Sequence, residues 1–423
     1  MDATAYAEGV GRQSARSESN APPRVEGRAM QCLGNQLNLD RQLLTRATLA
    51  LALASVLGAC SATAQGGDTS PPPPSTPTDA STTDASTTGG AATAVTLPLD
   101  SGVVEGAYTL ELEVGDPAQT FHVVVDSGSA NLILLGDSSL CDNCSSIPNQ
   151  KTYDPSKSST ATLHDTEFSI HYGSGELKAR EVTDRLTLGS FAPREVTFGV
   201  MTHQANIQNI LGLAYEAVAQ PRSKPLEPFF DGLVSASGIP NAFAMTLCEG
   251  SGSQITFGAS DPGMAHYLPI TEEKWYVVDG KRIEVNGQSL GTIDIPTVVD
   301  SGTTELMVPS ALHEQILKAL QPTAQKHGLD LSATFVATTS KVIADFPSLQ
   351  IVVSDSDGQP LSLEIPPQNY FKPAGPSGFL FYVGINDQEM LLGQVFMKGY
   401  DVLFDRANRR IGLGSSSCPS GGS

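Results

Sequence analysis

Positive charge is scarce in this 423-residue chain: 25 Lys and Arg stand against 45 Asp and Glu, a formal net charge of −20. Six arginines and five acids precede residue 47, so the rest of the chain carries the whole excess. Such a polymer repels nucleic acid and anionic lipid surfaces, which excludes a nucleic-acid partner. Long apolar runs are missing too. The run at 47–59 has thirteen residues, and at about 1.5 Å per residue it cannot cross a hydrocarbon core of about 30 Å. The seven histidines are scattered without an HExxH pair, and the Asp-Ser-Gly serines have no neighbouring histidine. Those absences remove the metalloprotease and serine-hydrolase readings.

What the short run does fit is an export signal. Arg41 and Arg46 precede it and small residues follow, the order of a secretory leader. Its end, Leu57-Gly58-Ala59-Cys60, resembles a bacterial lipobox, in which Cys60 becomes the lipidated N-terminus. The alternative is a plain signal cut after an Ala-x-Ala-like site such as Ala62-Thr63-Ala64. Met30 is an alternative start. Residues 61–95 are rich in Ser, Thr, Pro, Gly and Ala and hold almost nothing that could build a core, so they read as a disordered tether. The expected organisation is therefore a leader over 1–59, Cys60 and linker to 95, a folded region over 96–418, and a short tail at 419–423.

Without the leader and Cys60, four cysteines remain: Cys141, Cys144, Cys248 and Cys418. An even number suits two disulfides in an oxidising compartment. Cys141 and Cys144 form a CxxC, open to half a zinc site or a redox pair. With no second CxxC and no His pair at ligand spacing, a local structural disulfide is the preferred reading.

Helical periodicity is rare beyond residue 95. Ser310 is placed to cap a helix whose Leu312, Ile316, Leu317 and Leu320 share a face, and a shorter helix is expected near 227–235, ending by Gly238. The rest alternates as strands do. Leu110, Leu112 and Val114 face one way and Glu111 and Glu113 the other, before a turn at Gly115-Asp116-Pro117. The expected class is all-β with a few short helices.

The informative feature is a duplication. Val124-Val125-Asp126-Ser127-Gly128-Ser129 recurs as Val298-Val299-Asp300-Ser301-Gly302-Thr303, 174 residues later. Ile210-Leu211-Gly212 begins 84 residues after Asp126, and Leu391-Leu392-Gly393 begins 91 after Asp300. Two landmarks repeated in order imply two related lobes, about 96–265 and 266–418. Each copy sets a carboxylate where a buried strand meets a Ser-Gly turn, a costly place for a charge unless it is hydrogen-bonded or paired. The Ser127 and Ser301 hydroxyls can supply a bond to it, the Gly128 and Gly302 amides another, and Ser129 and Thr303 a second hydroxyl. If the lobes pack about an approximate two-fold axis, Asp126 and Asp300 meet. One proton is then shared, and the pair can activate water without metal or covalent intermediate.

On these motifs the region from about Thr96 to Cys418 resembles the pepsin-like aspartic proteases. Ile210-Leu211-Gly212-Leu213-Ala214-Tyr215 and Val402-Leu403-Phe404-Asp405-Arg406-Ala407-Asn408 are similar to family signatures. The resemblance implies two pseudo-symmetric β-barrel lobes, Asp126 and Asp300 as catalytic residues, no cofactor, and a monomer cutting peptides or proteins. His171-Tyr172-Gly173-Ser174-Gly175 looks like the tip of the flap, and with Thr304 these are the implied substrate contacts. Apolar side chains are expected around the cut bond. Asp300-Ser301-Gly302-Thr303-Thr304, with stretches near Leu226 and Ile283, looks closest to the β-secretase branch, where a pair matching Cys248 and Cys418 is bonded.

There are departures. Ile133 stands where tryptophan is usual, so the common indole bond to the flap tyrosine cannot form. Gln394 stands where pepsin has an aspartate, which implies lower dyad pKa values than pepsin's and a mildly acidic optimum. No Lys or Arg lies between Ala47 and Gln150, so no basic prosegment is expected. A catalytically silent binding lipoprotein of the same shape is the competing reading. The localisation implied is export, either as an outer-membrane lipoprotein facing the periplasm or the cell surface, with the lipid as its only membrane contact, or as a secreted protein.

Overall fold

A computed structural model describes residues 93–418 except 105, 145–146, 173–174, 205, 334 and 376–377. The leader, Cys60, most of the linker and the tail at 419–423 lie outside the described residues, as do Gly173 and Ser174. Among the described residues no helix is long and apolar enough to cross a membrane.

Strand Thr109–Val114 buries Leu110, Leu112 and Val114 and exposes Glu111 and Glu113, as the alternation predicts. It turns through Gly115, at φ 98°, into Gln119–Asp126. The end of that second strand is buried on both faces, with Val123 and Val125 in the main core and Val124 against Val104 and Ala107, and it runs parallel to Ile210–Gly212. This is why it reads as a continuous apolar run and not as an alternation. Leu132–Leu135 then pairs antiparallel with Ile210–Gly212 and parallel with Arg194–His203. Two longer strands, Gly175–Thr187 and Thr162–Tyr172, complete a seven-stranded sheet.

The second half repeats the centre of this arrangement. Thr297–Val299 runs parallel to Met390–Leu392, which pairs antiparallel with Leu306–Val308, which pairs parallel with Val383–Ile385. Around it stand a four-stranded sheet built on Gly280–Val285 and Leu349–Ser354 and a three-stranded one built on Phe379–Phe381. The fold is mostly β with few short helices, of the bilobal pepsin-like kind.

A six-stranded sheet draws on both halves. Its order is Val95–Pro98, Gln254–Phe257, Ala242–Thr246, Tyr400–Asp405, Arg410–Ser415 and His266–Pro269. Phe243 stacks on Phe404 at 4.5 Å between ring centres, and Tyr276 meets Phe404 edge-on at 4.7 Å. The Tyr276 hydroxyl donates to the Leu213 carbonyl at 2.5 Å. Arg406 is buried over the Tyr215 ring at 4.3 Å and pairs with Asp231 at 2.6 Å. Cys141 bonds Cys144 and Cys248 bonds Cys418.

Two helix expectations need correction. Ser310 is not a cap. It is the first helical residue of Ser310–Lys326, and its amide donates to the Asp387 carboxylate at 2.7 Å. The helix also runs six residues past Leu320, through Pro322. Ala324 continues the buried stripe of Leu312, Ile316 and Leu320, while Pro322 sits on the exposed face. Packing along the stripe outweighs the one backbone bond that proline removes. The shorter helix is Phe229–Ser237, closed by Gly238 at φ 68°, the left-handed conformation that a C-terminal glycine adopts without strain.

Candidate active site

Asp126 ends the strand Gln119–Asp126, and Asp300 directly follows Thr297–Val299. Both are buried, each 7% exposed. The Gly128 amide donates to Asp126 Oδ1 at 2.8 Å and the Gly302 amide to Asp300 Oδ1 at 2.9 Å. The outer oxygens accept from hydroxyls, Ser129 to Asp126 and Thr303 to Asp300, the latter at 2.6 Å. The two carboxyls face each other closely. A Cβ built on Gly128 would lie 2.7 Å from Asp300 Oδ1, and one on Gly302 would overlap Asp126 Oδ1. Here glycine is required because the opposite carboxyl occupies the space of a side chain. Burial foremost, and then the charge of Asp300, pushes the Asp126 carboxyl well above its ordinary value, against the lowering effect of its bonds from Ser129 and Gly128.

Ser127 and Ser301 do not turn back to their own carboxylates, as the sequence suggested. The Ser127 hydroxyl donates to the Val299 carbonyl at 3.0 Å and accepts from the Ser301 amide at 2.9 Å. Reciprocally, Ser301 donates to the Val125 carbonyl at 2.8 Å and accepts from the Ser127 amide at 3.0 Å. Both serines open the turn after their aspartate, and both hydroxyls reach across the interface. Four buried bonds therefore fix one motif on the other. These residues hold the two aspartates in register by joining the halves.

Beneath each motif lies an apolar-Gly strand. Gly212 donates to the Asn131 carbonyl at 2.9 Å, and the Gln394 amide donates to the Thr303 carbonyl at 2.8 Å. A Cβ on Gly212 would come within 2.5 Å of the Asn131 nitrogen, and one on Gly393 would strike the carbonyls of Thr303 and Glu305. The buried Gln394 side chain donates to the Ser301 carbonyl at 3.1 Å, so it props the second motif as a neutral group.

Above the pair opens a cleft of about 920 Å³. The hairpin of Thr162–Tyr172 and Gly175–Thr187 brings Tyr172 to its wall. The Tyr172 hydroxyl is buried beside Ser129 but short of a well-formed hydrogen bond. Burial raises its pKa, the Asp126 charge adds to this, and Ser129 opposes it. Ile133 is fully buried in the apolar cluster against which Tyr172 packs, and it offers no donor to that hydroxyl. Thr304 lines the cleft, and its hydroxyl donates to the Gly106 carbonyl.

Sequence reasoning missed a pair five residues beyond each aspartate. Asn131 is buried and ties down Gln220, accepting from its amide at 2.9 Å and donating to its carbonyl at 2.9 Å. Its counterpart Glu305 lines the cleft. Burial raises the Glu305 carboxyl above its ordinary range. The signal was present in the 174-residue offset, which aligns an amide with an acid.

The family model described as eukaryotic aspartyl protease matches residues 107–416. A β-secretase of Strongylocentrotus purpuratus is 28% identical over 74% of this chain and 67% of its own length. A chymosin of Camelus dromedarius is 29% identical over 75% and 82%, and an embryonic pepsinogen of Gallus gallus is 27% identical over 76% and 83%. These near-equal identities support the family without singling out the β-secretase branch. With that match across most of its length, the chain belongs to the aspartyl protease family.

Proposed function

We propose that the protein is an endopeptidase in which Asp126 and Asp300 activate water against a peptide bond. The observation that carries this reading is the pair of buried carboxyls, facing each other across a four-bond serine lock at the floor of an open cleft. Two carboxyls in such contact share one proton, which is the known behaviour of aspartic-protease dyads. The ionised partner takes a proton from water, whose oxygen adds to the scissile carbonyl carbon. The protonated partner donates to the carbonyl oxygen, giving a neutral tetrahedral diol. A proton then passes to the amide nitrogen, the C–N bond breaks, and acid and amine leave. Tyr172 closes one wall over the peptide, and its buried hydroxyl can take a partner there.

The test is cleavage of a denatured protein library from about pH 3 to 7, with and without an inhibitor that mimics the tetrahedral diol. We expect inhibitor-sensitive cutting, lost in Asp126→Asn, with a mildly acidic optimum. Burial holds the Asp126 proton to higher pH than an exposed aspartate would, so activity extends above the ordinary carboxylate range. Cutting that survives the inhibitor and Asp126→Asn would overturn the proposal, and a peak near gastric acidity would overturn the pH reading. The leader supports export, with a lipid on Cys60 and the linker as tether. Cys60→Ala should move the protein from the membrane to the soluble fraction, and an unchanged partition would refute the anchor.

A further inference from the structure

In each half, four residues side by side on neighbouring strands lead away from the aspartate. In the first half they are Val124, Ile210, Ile133 and Gly199, and in the second Val298, Leu391, Met307 and Gly384. In the first row Ile133 is fully buried beneath the hairpin, among Phe168 and Ala179. Val124 and Ile210 line the cleft, as Val298 and Leu391 do, but in the second row Met307 lines it too where Ile133 does not. Glu305 immediately precedes the strand Leu306–Val308, two residues before Met307, and both line the cleft. Gly384 makes room for them. A Cβ there would meet Met307 Sδ at 2.6 Å and overlap Glu305 Oε2.

The Glu305 side chain makes no hydrogen bond or ion pair with any described residue. By contrast Asn131, at the equivalent position, is fully engaged with Gln220. Among the described residues four carboxyl groups line the cleft, from Asp126, Asp300, Glu305 and Glu389, and no lysine or arginine does. Lys274 adjoins the lining residue Trp275, but its ammonium rests over that ring at 4.0 Å. A half-buried carboxylate without a partner, at the end of an apolar floor, fits an aliphatic stem that ends in a cation.

We propose that Glu305 is a specificity determinant: it receives the lysine or arginine side chain of a peptide lying in the cleft, whose stem rests on Val298, Leu391 and Met307. This deepens the endopeptidase reading and rests on it for the word substrate, but not for binding. The basic side chain occupies one fixed position relative to the cut bond, on the side of the second half. Apolar residues fill the positions nearest the dyad. The net charge of −20 favours the approach of the same basic chains.

The experiment uses peptides that differ at one position at a time, carrying lysine, norleucine or glutamate, with kcat/KM measured for each. Wild type should prefer lysine over norleucine at one position by about tenfold, the scale of a single charge-assisted hydrogen bond. Glu305→Gln should bring that ratio within about twofold, and Glu305→Lys should turn it toward glutamate. Glu195→Gln, an exposed change on the strand Arg194–His203, should leave the ratio as it was. An equal ratio in wild type and Glu305→Gln overturns the proposal, and so does no preference at any position. Should no peptide be cut, the hydrolytic reading fails. Glu305 is then judged by the equilibrium binding of fluorescent lysine and norleucine peptides to the intact protein, and equal Kd values overturn it.

Discussion

Residues 119–212 and 297–392 build one pattern twice: parallel, antiparallel, parallel, with an aspartate at the end of the first strand. At the dyad the two copies match bond for bond. Each aspartate accepts from the second residue on and the third residue on, and each serine crosses to the other copy. Away from the dyad they diverge. Asn131 is buried against Gln220 and Ile133 beneath the hairpin, while Glu305 and Met307 line the cleft. Symmetry is therefore kept at the two facing carboxyls, and abandoned where the proposed substrate, which has a direction, would be told apart at its two ends.

The most severe way to break the comparison is at the dyad. Asp126→Asn and Asp300→Asn should each lower kcat/KM by a factor of about 10²–10⁴ or more, and by similar amounts, because each group needs the other. Losses differing by many orders of magnitude would show that one aspartate acts alone. Next come the crossing serines. Ser127→Ala and Ser301→Ala each strand a buried carbonyl and a buried amide, and each should cost about 2–4 kcal/mol in urea unfolding. The double variant should cost less than the sum, since each hydroxyl serves the other's backbone. Strict additivity would contradict the reciprocal lock.

The smallest effect sharpens the divergence. Asn131→Ala should cost about 1–2 kcal/mol at any pH, since it strands the Gln220 amide and carbonyl. For Glu305 the sign runs with pH. Its folded carboxyl is raised above the ordinary 4.5, so the stability it contributes is full below that value and lost as pH rises through the folded one. Glu305→Gln should therefore gain on wild type as pH goes from about 4 to 7, read as a rising difference in urea midpoint. A flat difference would mean that the carboxyl is no harder to ionise in the fold.

How far the sequence could be read follows the range of each interaction. The two aspartates, their following glycines and the hydroxyls of Ser129 and Thr303 were legible because these bonds close within three residues. Both apolar-Gly strands were legible because the duplication marks them. The partners of Ser127 and Ser301 were not, since they lie more than 170 residues away across an interface whose geometry no local pattern encodes. The same holds for the helix at 310–326, capped by Asp387 from a distant loop and continued past Pro322 by packing. Glu305 escaped notice because a side chain with no partner among the described residues leaves no trace in local spacing.

The sheet shared by both halves bears on the order of synthesis. Ala242–Thr246 finds one neighbour eight residues or more downstream in Gln254–Phe257, but its other neighbour is Tyr400–Asp405. While the ribosome makes the intervening stretch, the first half holds an open strand edge and the buried ring of Phe243 without Phe404 to cover it. Such an edge invites pairing with other chains. A nascent fragment that stops short of residue 400 is thus exposed to aggregation, and the last few strands to emerge release it from that hazard.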